Sequence, residues 1–146
     1  YEKNPNQKPW IKPDGSPAIE HRFEVMVGQV RVQGYIDQVV GDGVFVVRDL
    51  KTGKKPGGMM QLKVYAVALD KEFDFQVESG DYFLLGNKKP TQSYDLSQMS
   101  EQQVVELFEE MDAGVKAERF DPSPNPEKCR RCPFKALCIY SEAEEE

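Results

Sequence analysis

The sequence lacks the features that mark several common classes of protein. No apolar run approaches the roughly 18 residues of a membrane-spanning helix, and no secretory leader is visible. Positive charge is not in excess, because 19 lysines and arginines face 25 aspartates and glutamates for a net charge of −6. This balance argues against a protein that coats nucleic acid by bulk charge. With 146 residues and no internal repeat, we expect one globular, cytoplasmic domain or a piece of a longer protein.

Cysteine is scarce and unevenly placed. All three cysteines lie within ten residues, as Cys129-x2-Cys132-x5-Cys138. An odd number in a chain that looks intracellular disfavours a disulfide framework, and such clustering is hard to explain by core packing. Ligation of a metal or a cluster is the natural interpretation, although zinc and iron–sulfur sites call for four ligands.

The apolar pattern predicts an α+β domain, with a mixed β-sheet flanked by helices. Residues 1–19 form an irregular, proline-rich lead-in, residues 20–120 the core with its C-terminal helix, and residues 121–146 a cysteine segment with an acidic tail. The predicted strands are Arg22–Val27, Val30–Val40, Val44–Leu50, Asp81–Leu85 and Gln92–Leu96, and the predicted helices are Met59–Leu69 and a helix that begins at Ser100.

Two aspartates and a lysine stand out on the second and third strands. If the glycine-rich turn between these strands pairs Val40 with Val44, Asp37 and Asp49 are diagonal neighbours on one face, about 7 Å apart. Lys51, two residues after Asp49, shares that face. Two carboxylates at this separation suit a hard cation such as Mg²⁺ or Mn²⁺, and the lysine suits a water or a phosphate.

The first helix offers a second polar pair. Gln61 and Tyr65 are four residues apart and therefore lie on one face of an otherwise apolar helix. They either reach the carboxylates or a DNA backbone, or they are an ordinary core tyrosine and a solvated amide. The basic pair Lys88–Lys89 is similarly open to two interpretations, a phosphate contact or a solvated surface. His21, the only histidine, is expected to be a surface or structural residue.

Three motifs together resemble the RecB-like branch of the PD-(D/E)XK nuclease superfamily. That branch shows G-x-[IV]-D, D-x-K-T-G and Q-x-x-x-Y in this order. The corresponding stretches here are Gly34-Tyr35-Ile36-Asp37, Asp49-Leu50-Lys51-Thr52-Gly53 and Gln61-Leu62-Lys63-Val64-Tyr65. The resemblance covers roughly residues 20–96 and continues into the cysteines, and the threefold match is more specific than a lone D-x-K.

The resemblance implies a fold and an activity. The fold would be restriction-endonuclease-like, and the activity that of a Mg²⁺- or Mn²⁺-dependent deoxyribonuclease. Its substrate would be single-stranded DNA or DNA ends, in recombination, repair, or CRISPR or phage DNA processing, with a helicase or CRISPR-adaptation protein as a partner. The alternative is a DNA-binding module without catalysis, or the nuclease-domain fragment of a larger helicase–nuclease.

The resemblance also implies roles for individual residues. Asp37, Asp49 and the main-chain carbonyl of Leu50 would bind the metal, with Glu20 as a weaker candidate ligand. Lys51 would orient or deprotonate the attacking water, or stabilise charge in the transition state. Gln61 and Tyr65 would support these groups.

The cysteines resemble those of the cluster-containing members, the AddB and CRISPR-associated exonucleases. In that family Cys129, Cys132 and Cys138 would hold a [4Fe–4S] cluster with one further cysteine far upstream, which this chain lacks. Either the fourth ligand precedes Tyr1 in a longer protein, or the cluster is incomplete, or another group takes the place. Basic residues near the motifs are candidate DNA contacts, namely Lys54, Lys55, Arg130 and Arg131.

Overall fold

The computed structural model describes residues 8–53, 56–97 and 100–143. Its contacts divide the chain into two compact units, Tyr1–Glu110 and Met111–Glu146. In the described ranges, no helix is long and apolar enough to cross a membrane.

The first unit is built on a mixed β-sheet. The described strands are β1 (Ile19–Val27), β2 (Val30–Val40), β3 (Val46–Lys51), β4 (Ser79–Leu84), β5 (Lys89–Pro90) and β6 (Tyr94–Asp95). Strands β1, β2 and β3 pair antiparallel in sequence order, while β4 pairs parallel to β3 on its other side. The parallel pair requires a crossover, and the helix α1 (Met59–Phe73) supplies it. The α+β prediction with a mixed sheet flanked by helices is confirmed.

The hairpin between β2 and β3 has a different register from the predicted one. Val40 pairs with Val46, not with Val44, so the loop includes Val44 and Phe45. Phe45 belongs to the loop because its ring packs on Trp10 and Phe75, with ring centroids 5.4 and 4.6 Å away. The predicted pairing was therefore wrong by two residues.

The observed register places the two aspartates directly opposite each other on β2 and β3. Gln38 pairs with Arg48, so the next position along each strand sets Asp37 directly across from Asp49. Residues directly opposite in an antiparallel pair share a face. The two carboxylates are thus cross-strand neighbours and not the diagonal pair that the turn alone predicted.

The core lies between the sheet and α1. The predicted helix face is buried, with Leu62, Ala66 and Leu69 each at most 3% exposed. They pack with apolar side chains from the strands, including Phe23, Ile36 and Val47. Burial of this apolar face is what stabilises the amphipathic helix on the sheet.

The remaining elements differ in detail from the sequence prediction. The helix α1 extends four residues past Leu69 to Phe73, and Asp74 follows as its C-cap with a left-handed backbone. The strand predicted at Gln92–Leu96 is reduced to the two residues of β6, and β5 was not predicted. The second predicted helix is α2 (Glu101–Lys116).

The cysteine segment contains one short helix, α3 (Pro126–Arg131). The side chain of Asn125 caps it by accepting hydrogen bonds from the main-chain N–H groups of Glu127 and Lys128, at 3.0 and 3.3 Å. Pro126 occupies the first turn, where a missing N–H costs nothing.

Candidate active site

Asp49 lies near the end of β3 with its carboxylate turned into the protein, and the residue is only 3% exposed. Its Oδ1 accepts hydrogen bonds from the Gln61 amide at 2.6 Å and from the Tyr65 hydroxyl at 3.2 Å. The side-chain amide of Gln61 also donates to the Tyr65 hydroxyl, at 2.9 Å. One turn of α1 therefore holds one oxygen of Asp49.

The other oxygen of Asp49 forms an ion pair with Lys51. Lys51 Nζ lies 2.7 Å from Asp49 Oδ2, and it donates a hydrogen bond to Gln61 Oε1 at 3.0 Å. The lysine contact with Oδ2 has ion-pair distance but not hydrogen-bond direction. Among the described residues, Oδ2 is thus a buried oxygen without a hydrogen-bond donor. The ammonium offsets the charge of this oxygen, and a bound cation would add to that compensation.

The Tyr65 hydroxyl acts as a donor over the whole physiological pH range. The pKa of Tyr65 is raised to about 12, first by burial and then by the negative charges of Asp49 and Asp37, against an opposing hydrogen bond from Gln61. A phenol with this pKa stays protonated near neutral pH. Tyr65 can orient Asp49, but it cannot serve there as a base.

Asp37 reaches the site from β2. Its Oδ2 accepts a hydrogen bond of 2.7 Å from the main-chain N–H of Leu50. The carboxylate is therefore fixed beside the main chain that joins Asp49 to Lys51. The structure brings Asp37, Asp49, Leu50 and Lys51 to one end of the hairpin, with Gln61 and Tyr65 facing them from α1.

Glu20, the weaker of the predicted ligands, lies on β1. Its neighbours Ile19 and His21 pair with Gln38 and Ile36, which places Glu20 on β1 directly opposite Asp37 on β2. Its side chain is exposed, and its backbone has a positive φ of 49°. In the portion of the chain that the structure describes, no three histidine, cysteine, aspartate or glutamate side chains come together as a metal-binding group. Glu20 therefore stays a candidate ligand, opposite Asp37 in the ladder but with an exposed side chain.

The carboxylates of Asp37 and Asp49 fit a hard divalent cation. Mg²⁺ usually keeps several waters and binds through one or two carboxylates, so it does not require a third acidic side chain. Asp37 and Asp49 supply two carboxylates, and the oxygen of Asp49 without a donor is available. Oxygen donors of this kind suit Mg²⁺ or Mn²⁺ better than softer metals.

Tyr82 is a site residue that the sequence analysis missed. It pairs with Asp49 in the parallel ladder between β3 and β4. Its ring lies beneath Lys51, with Nζ 5.5 Å from the ring centroid, and its hydroxyl donates to the carbonyl of Gly58 at 2.7 Å. Burial, followed by the charge of Asp49, raises the pKa of Tyr82 to about 12. Tyr82 thus connects the start of α1 to Lys51, a contact that only the parallel register reveals.

Arg48 and Asp81 form a buried ion pair that sequence reasoning also missed. Arg48 donates two hydrogen bonds to the Asp81 carboxylate, from Nε at 2.6 Å and from a terminal nitrogen at 2.7 Å. Both residues are at most 6% exposed. Neighbouring residues on a strand point to opposite faces, so Arg48 faces away from the side of β3 that carries Asp49. An arginine inside an apolar strand was the available signal, since it needs a buried partner.

His21 has a structural role. It is buried, and its Nε2 lies 2.8 Å from Glu72 Oε2 on α1. The ring also packs on Phe73, with centroids 5.4 Å apart. This agrees with the structural interpretation of the histidine.

The cysteines and basic residues remain candidates. Cys129 and Cys132 are half-buried and Cys138 is exposed, and the three do not form a metal-binding group in the described part of the chain. The iron–sulfur cluster therefore stays a prediction. Lys54 and Lys55 lie outside the described residues. Arg130 and Arg131 are exposed on α3, where Arg131 pairs with Glu127 at 3.1 Å.

Known proteins resemble this chain in sequence and in fold. The Gene 69 protein of Mycobacterium phage D29 is 43% identical over 140 residues, which is 92% of this chain and 52% of that protein. The Gene 69 protein of Mycobacterium phage L5 is 41% identical over 128 residues, 84% of this chain and 44% of that protein. The chain therefore spans about half the length of these curated relatives.

A solved structure shares the fold. The crystal structure of a protein called SSO0001 superposes with a TM-score of 0.50 at 19% identity, covering 85% of this chain and 59% of that one. At this identity the likeness concerns the fold alone.

A family model describes nearly the whole chain. The model of the PD-(D/E)XK nuclease superfamily matches residues 8–139, a range that contains the sheet, α1, every residue of the site and the three cysteines. This chain belongs to the PD-(D/E)XK nuclease superfamily.

Proposed function

We propose that this chain is a Mg²⁺- or Mn²⁺-dependent deoxyribonuclease that acts as an exonuclease on single-stranded DNA or on DNA ends. The observation that carries the proposal is the state of Asp49. One of its oxygens is buried without a hydrogen-bond donor, next to a lysine and across the hairpin from a second carboxylate. Packing alone does not call for a buried carboxylate paired with an ammonium, because burying charges is costly.

Asp37, Asp49 and the main chain at Leu50 would hold the cation. Once bound, the cation supplies charge neutralisation at the scissile phosphate and lowers the pKa of a bound water. Every other part of the chemistry falls to residues of the chain.

Lys51 is the group placed to handle the attacking water. Its Nζ is shared between Asp49 Oδ2 and Gln61 Oε1, so the ammonium is held against the Asp49 carboxylate. Held there, it orients a water for attack or stabilises the negative charge that develops on the phosphate. Gln61 positions both Lys51 and Asp49, because its carbonyl accepts from one and its amide donates to the other.

The alternative is a DNA-binding module without catalysis, or the nuclease-domain fragment of a larger helicase–nuclease. The length of the phage relatives favours a longer parent protein, since the chain spans 52% and 44% of them. The contacts among Asp49, Lys51 and Gln61 favour catalysis, because a binding module has no need of a lysine held against a buried carboxylate. A helicase or CRISPR-adaptation partner fits either case.

Hydrolysis of end-labelled single-stranded DNA tests the proposal. With Mg²⁺ or Mn²⁺, we expect the unaltered chain to release nucleotides progressively from an end. We expect Asp49→Asn and Lys51→Met to reduce the rate at least 100-fold, because each removes a group that touches the reacting atoms. The matched control is Asp42→Asn, an exposed aspartate in the turn of the same hairpin, which should leave the rate unchanged.

The substrates and variants separate the alternatives. An endless circular single strand that is cut as fast as a linear one would contradict the exonuclease. If the chain binds DNA but does not hydrolyse it with Mg²⁺ or with Mn²⁺, the alternative of a DNA-binding module without catalysis would be supported. Equal rates for Asp49→Asn and Asp42→Asn would rule out the proposed site.

A further inference from the structure

We propose that Tyr82 is a positioning residue for Lys51, and that its ring holds the lysine ammonium where it acts on the water or the phosphate. The inference rests on the proposed nuclease function and adds to it a residue outside the three sequence motifs. Tyr82 is fully buried on β4, at 0% exposure, and its ring lies under the charged group of Lys51. Its contacts therefore belong to the site as well as to the core.

The parallel pairing of β3 and β4 brings the Tyr82 ring to Lys51. Tyr82 is the ladder partner of Asp49, and Lys51 lies two residues further along β3 on the same face. Lys51 Nζ lies over the ring, 5.5 Å from its centroid, and an aromatic face attracts a cation within about 6 Å. The ring is thus a third partner of the ammonium, in addition to Asp49 Oδ2 and Gln61 Oε1.

A neutral partner suits an ammonium that acts on a phosphate. Asp49 already offsets the charge of Lys51 through an ion pair at 2.7 Å, so a further carboxylate would cancel more of it. An aromatic face attracts the ammonium through its quadrupole and carries no net charge. The lysine side chain is flexible and 30% exposed, so contacts are needed to restrict it. The ring restricts the ammonium and leaves its charge available to the substrate.

The hydroxyl of Tyr82 fixes the start of the helix that binds the same lysine. It donates a hydrogen bond of 2.7 Å to the main-chain carbonyl of Gly58, the N-cap residue of α1. Gln61 lies in the first turn of α1 and accepts a hydrogen bond from Lys51. A Cβ at Gly57 would lie 2.8 Å from the hydroxyl, so the chain before α1 packs closely on Tyr82. One side chain therefore contacts both the lysine and the segment that positions Gln61.

Neighbouring residues hold Tyr82 itself in place. Its main-chain N–H donates to the Thr91 hydroxyl at 3.2 Å, and its carbonyl accepts from the Thr91 N–H at 2.8 Å. The ring of Tyr94 lies nearly perpendicular to the Tyr82 ring, with centroids 6.0 Å apart. A side chain that positions a flexible lysine must be fixed, and these contacts fix Tyr82.

Steady-state hydrolysis of single-stranded DNA by the full 146-residue chain tests the effect on the reaction. We expect Tyr82→Leu, which removes the ring, to lower kcat at least about tenfold, since misplacing a group by about 1 Å can cost on the order of 100-fold. KM should stay within about twofold, because the ring does not touch the substrate. Tyr82→Phe keeps the ring, so its kcat should stay within about threefold of that of the unaltered chain.

Phe83→Leu is the matched control on the same strand. The ring of Phe83 lies 5.9 Å from the guanidinium carbon of Arg48, so this substitution removes a cation–π contact of the same kind. Neighbouring residues on a strand face opposite sides of the sheet, so that contact lies away from Lys51. Phe83→Leu should leave kcat within about twofold of the unaltered value. Equal losses of kcat for Tyr82→Leu and Phe83→Leu would overturn the proposal.

Nuclear magnetic resonance follows the ammonium without hydrolysis. In protein labelled at lysine, Lys51→Met identifies the signals of Lys51, and protons over an aromatic face are shifted upfield by the ring current. We expect the methylene next to Lys51 Nζ to be shifted upfield in the unaltered chain and in Tyr82→Phe, and to lose that shift in Tyr82→Leu. If Tyr82→Leu folds poorly, the two chains that keep the ring still decide the test. The absence of the upfield shift in both would overturn the proposal.

The positioning role and the nuclease fail in distinguishable ways. An upfield Lys51 signal in a chain that hydrolyses no DNA with Mg²⁺ or Mn²⁺ would keep the contact with Tyr82 and remove the nuclease. Hydrolysis that requires Asp49, with kcat unchanged in Tyr82→Leu, would keep the nuclease and remove the role of Tyr82. A Tyr82→Phe variant as slow as Tyr82→Leu, or a rise in KM that accounts for the whole loss, would also overturn positioning by the ring.

Discussion

Asp49 shows how a single side chain can serve both the core and the site. Tyr65 and Gln61 hold one oxygen from α1, and the other forms an ion pair with the Lys51 ammonium. Since the residue is buried, each of these contacts acts in a medium that screens charge weakly. The carboxylate is thus oriented before any ligand arrives, which is what a catalytic site requires.

Arg48 and Asp81 should prove structural and not catalytic. Their bidentate pair is buried on the strands that carry the site. Asp81→Ala leaves the arginine without its carboxylate, so we expect the free energy of unfolding to fall by about 3–5 kcal/mol. Urea unfolding checks this. The control Asp42→Ala, at an exposed turn, should change it by about 0.5 kcal/mol or less.

The double variant Arg48→Met/Asp81→Leu sharpens that test. It removes both charges together, so it should recover much of the stability that Asp81→Ala loses. A loss below about 1 kcal/mol for Asp81→Ala would show that the pair contributes little.

At the scale of the elements, the hairpin of β2 and β3 decides where the carboxylates meet. Its loop is two residues longer than the glycine-rich turn suggests, because the aromatic packing of Phe45 holds that residue outside the ladder. A register shift of two preserves the face of every side chain, whereas a shift of one would reverse it. The predicted shared face of Asp37 and Asp49 therefore survived the error in pairing.

Gly34 on β2 should resist any added side chain. A Cβ at this position would lie 2.9 Å from the ring of Phe23, its partner on β1. Gly34→Ala forces that buried ring to move, so we expect a loss of about 1–3 kcal/mol in the free energy of unfolding, measured in urea. At Gly86, an added Cβ meets no atom within 4 Å, so Gly86→Ala is the control and should cost far less.

A second variant identifies the cause of the Gly34→Ala loss. In a Phe23→Leu background the clash is removed. The decrease in the free energy of unfolding caused by Gly34→Ala should therefore be smaller there. An equal cost in both backgrounds would contradict the steric explanation.

For the whole molecule, metal binding should be measurable as stability. A cation that binds the folded chain at Asp37 and Asp49 stabilises it by about 2.7 kcal/mol at a concentration 100 times its Kd. For a chain of this size, that corresponds to a rise in Tm of roughly 5–10 °C. Thermal unfolding with Mg²⁺ or Mn²⁺, against sodium chloride of equal ionic strength, checks this without an activity assay.

Substitution should remove that rise selectively. We expect Asp49→Asn to abolish most of the metal-dependent rise in Tm, while Asp42→Asn retains it. An equal rise in the unaltered chain and in Asp49→Asn would place the cation elsewhere.

The sequence by itself determined the α+β class, the helix face that is buried and the motifs that mark the superfamily. These follow from local periodicity and from residue types at short spacing. Both can be identified in the sequence without knowledge of the fold. Only the tertiary structure decided the hairpin register, the pairing of Asp49 with Tyr82 and the partner of Arg48. Each depends on residues that are distant along the chain, and on side-chain packing such as that of Phe45, because strand alternation specifies a face but not a partner.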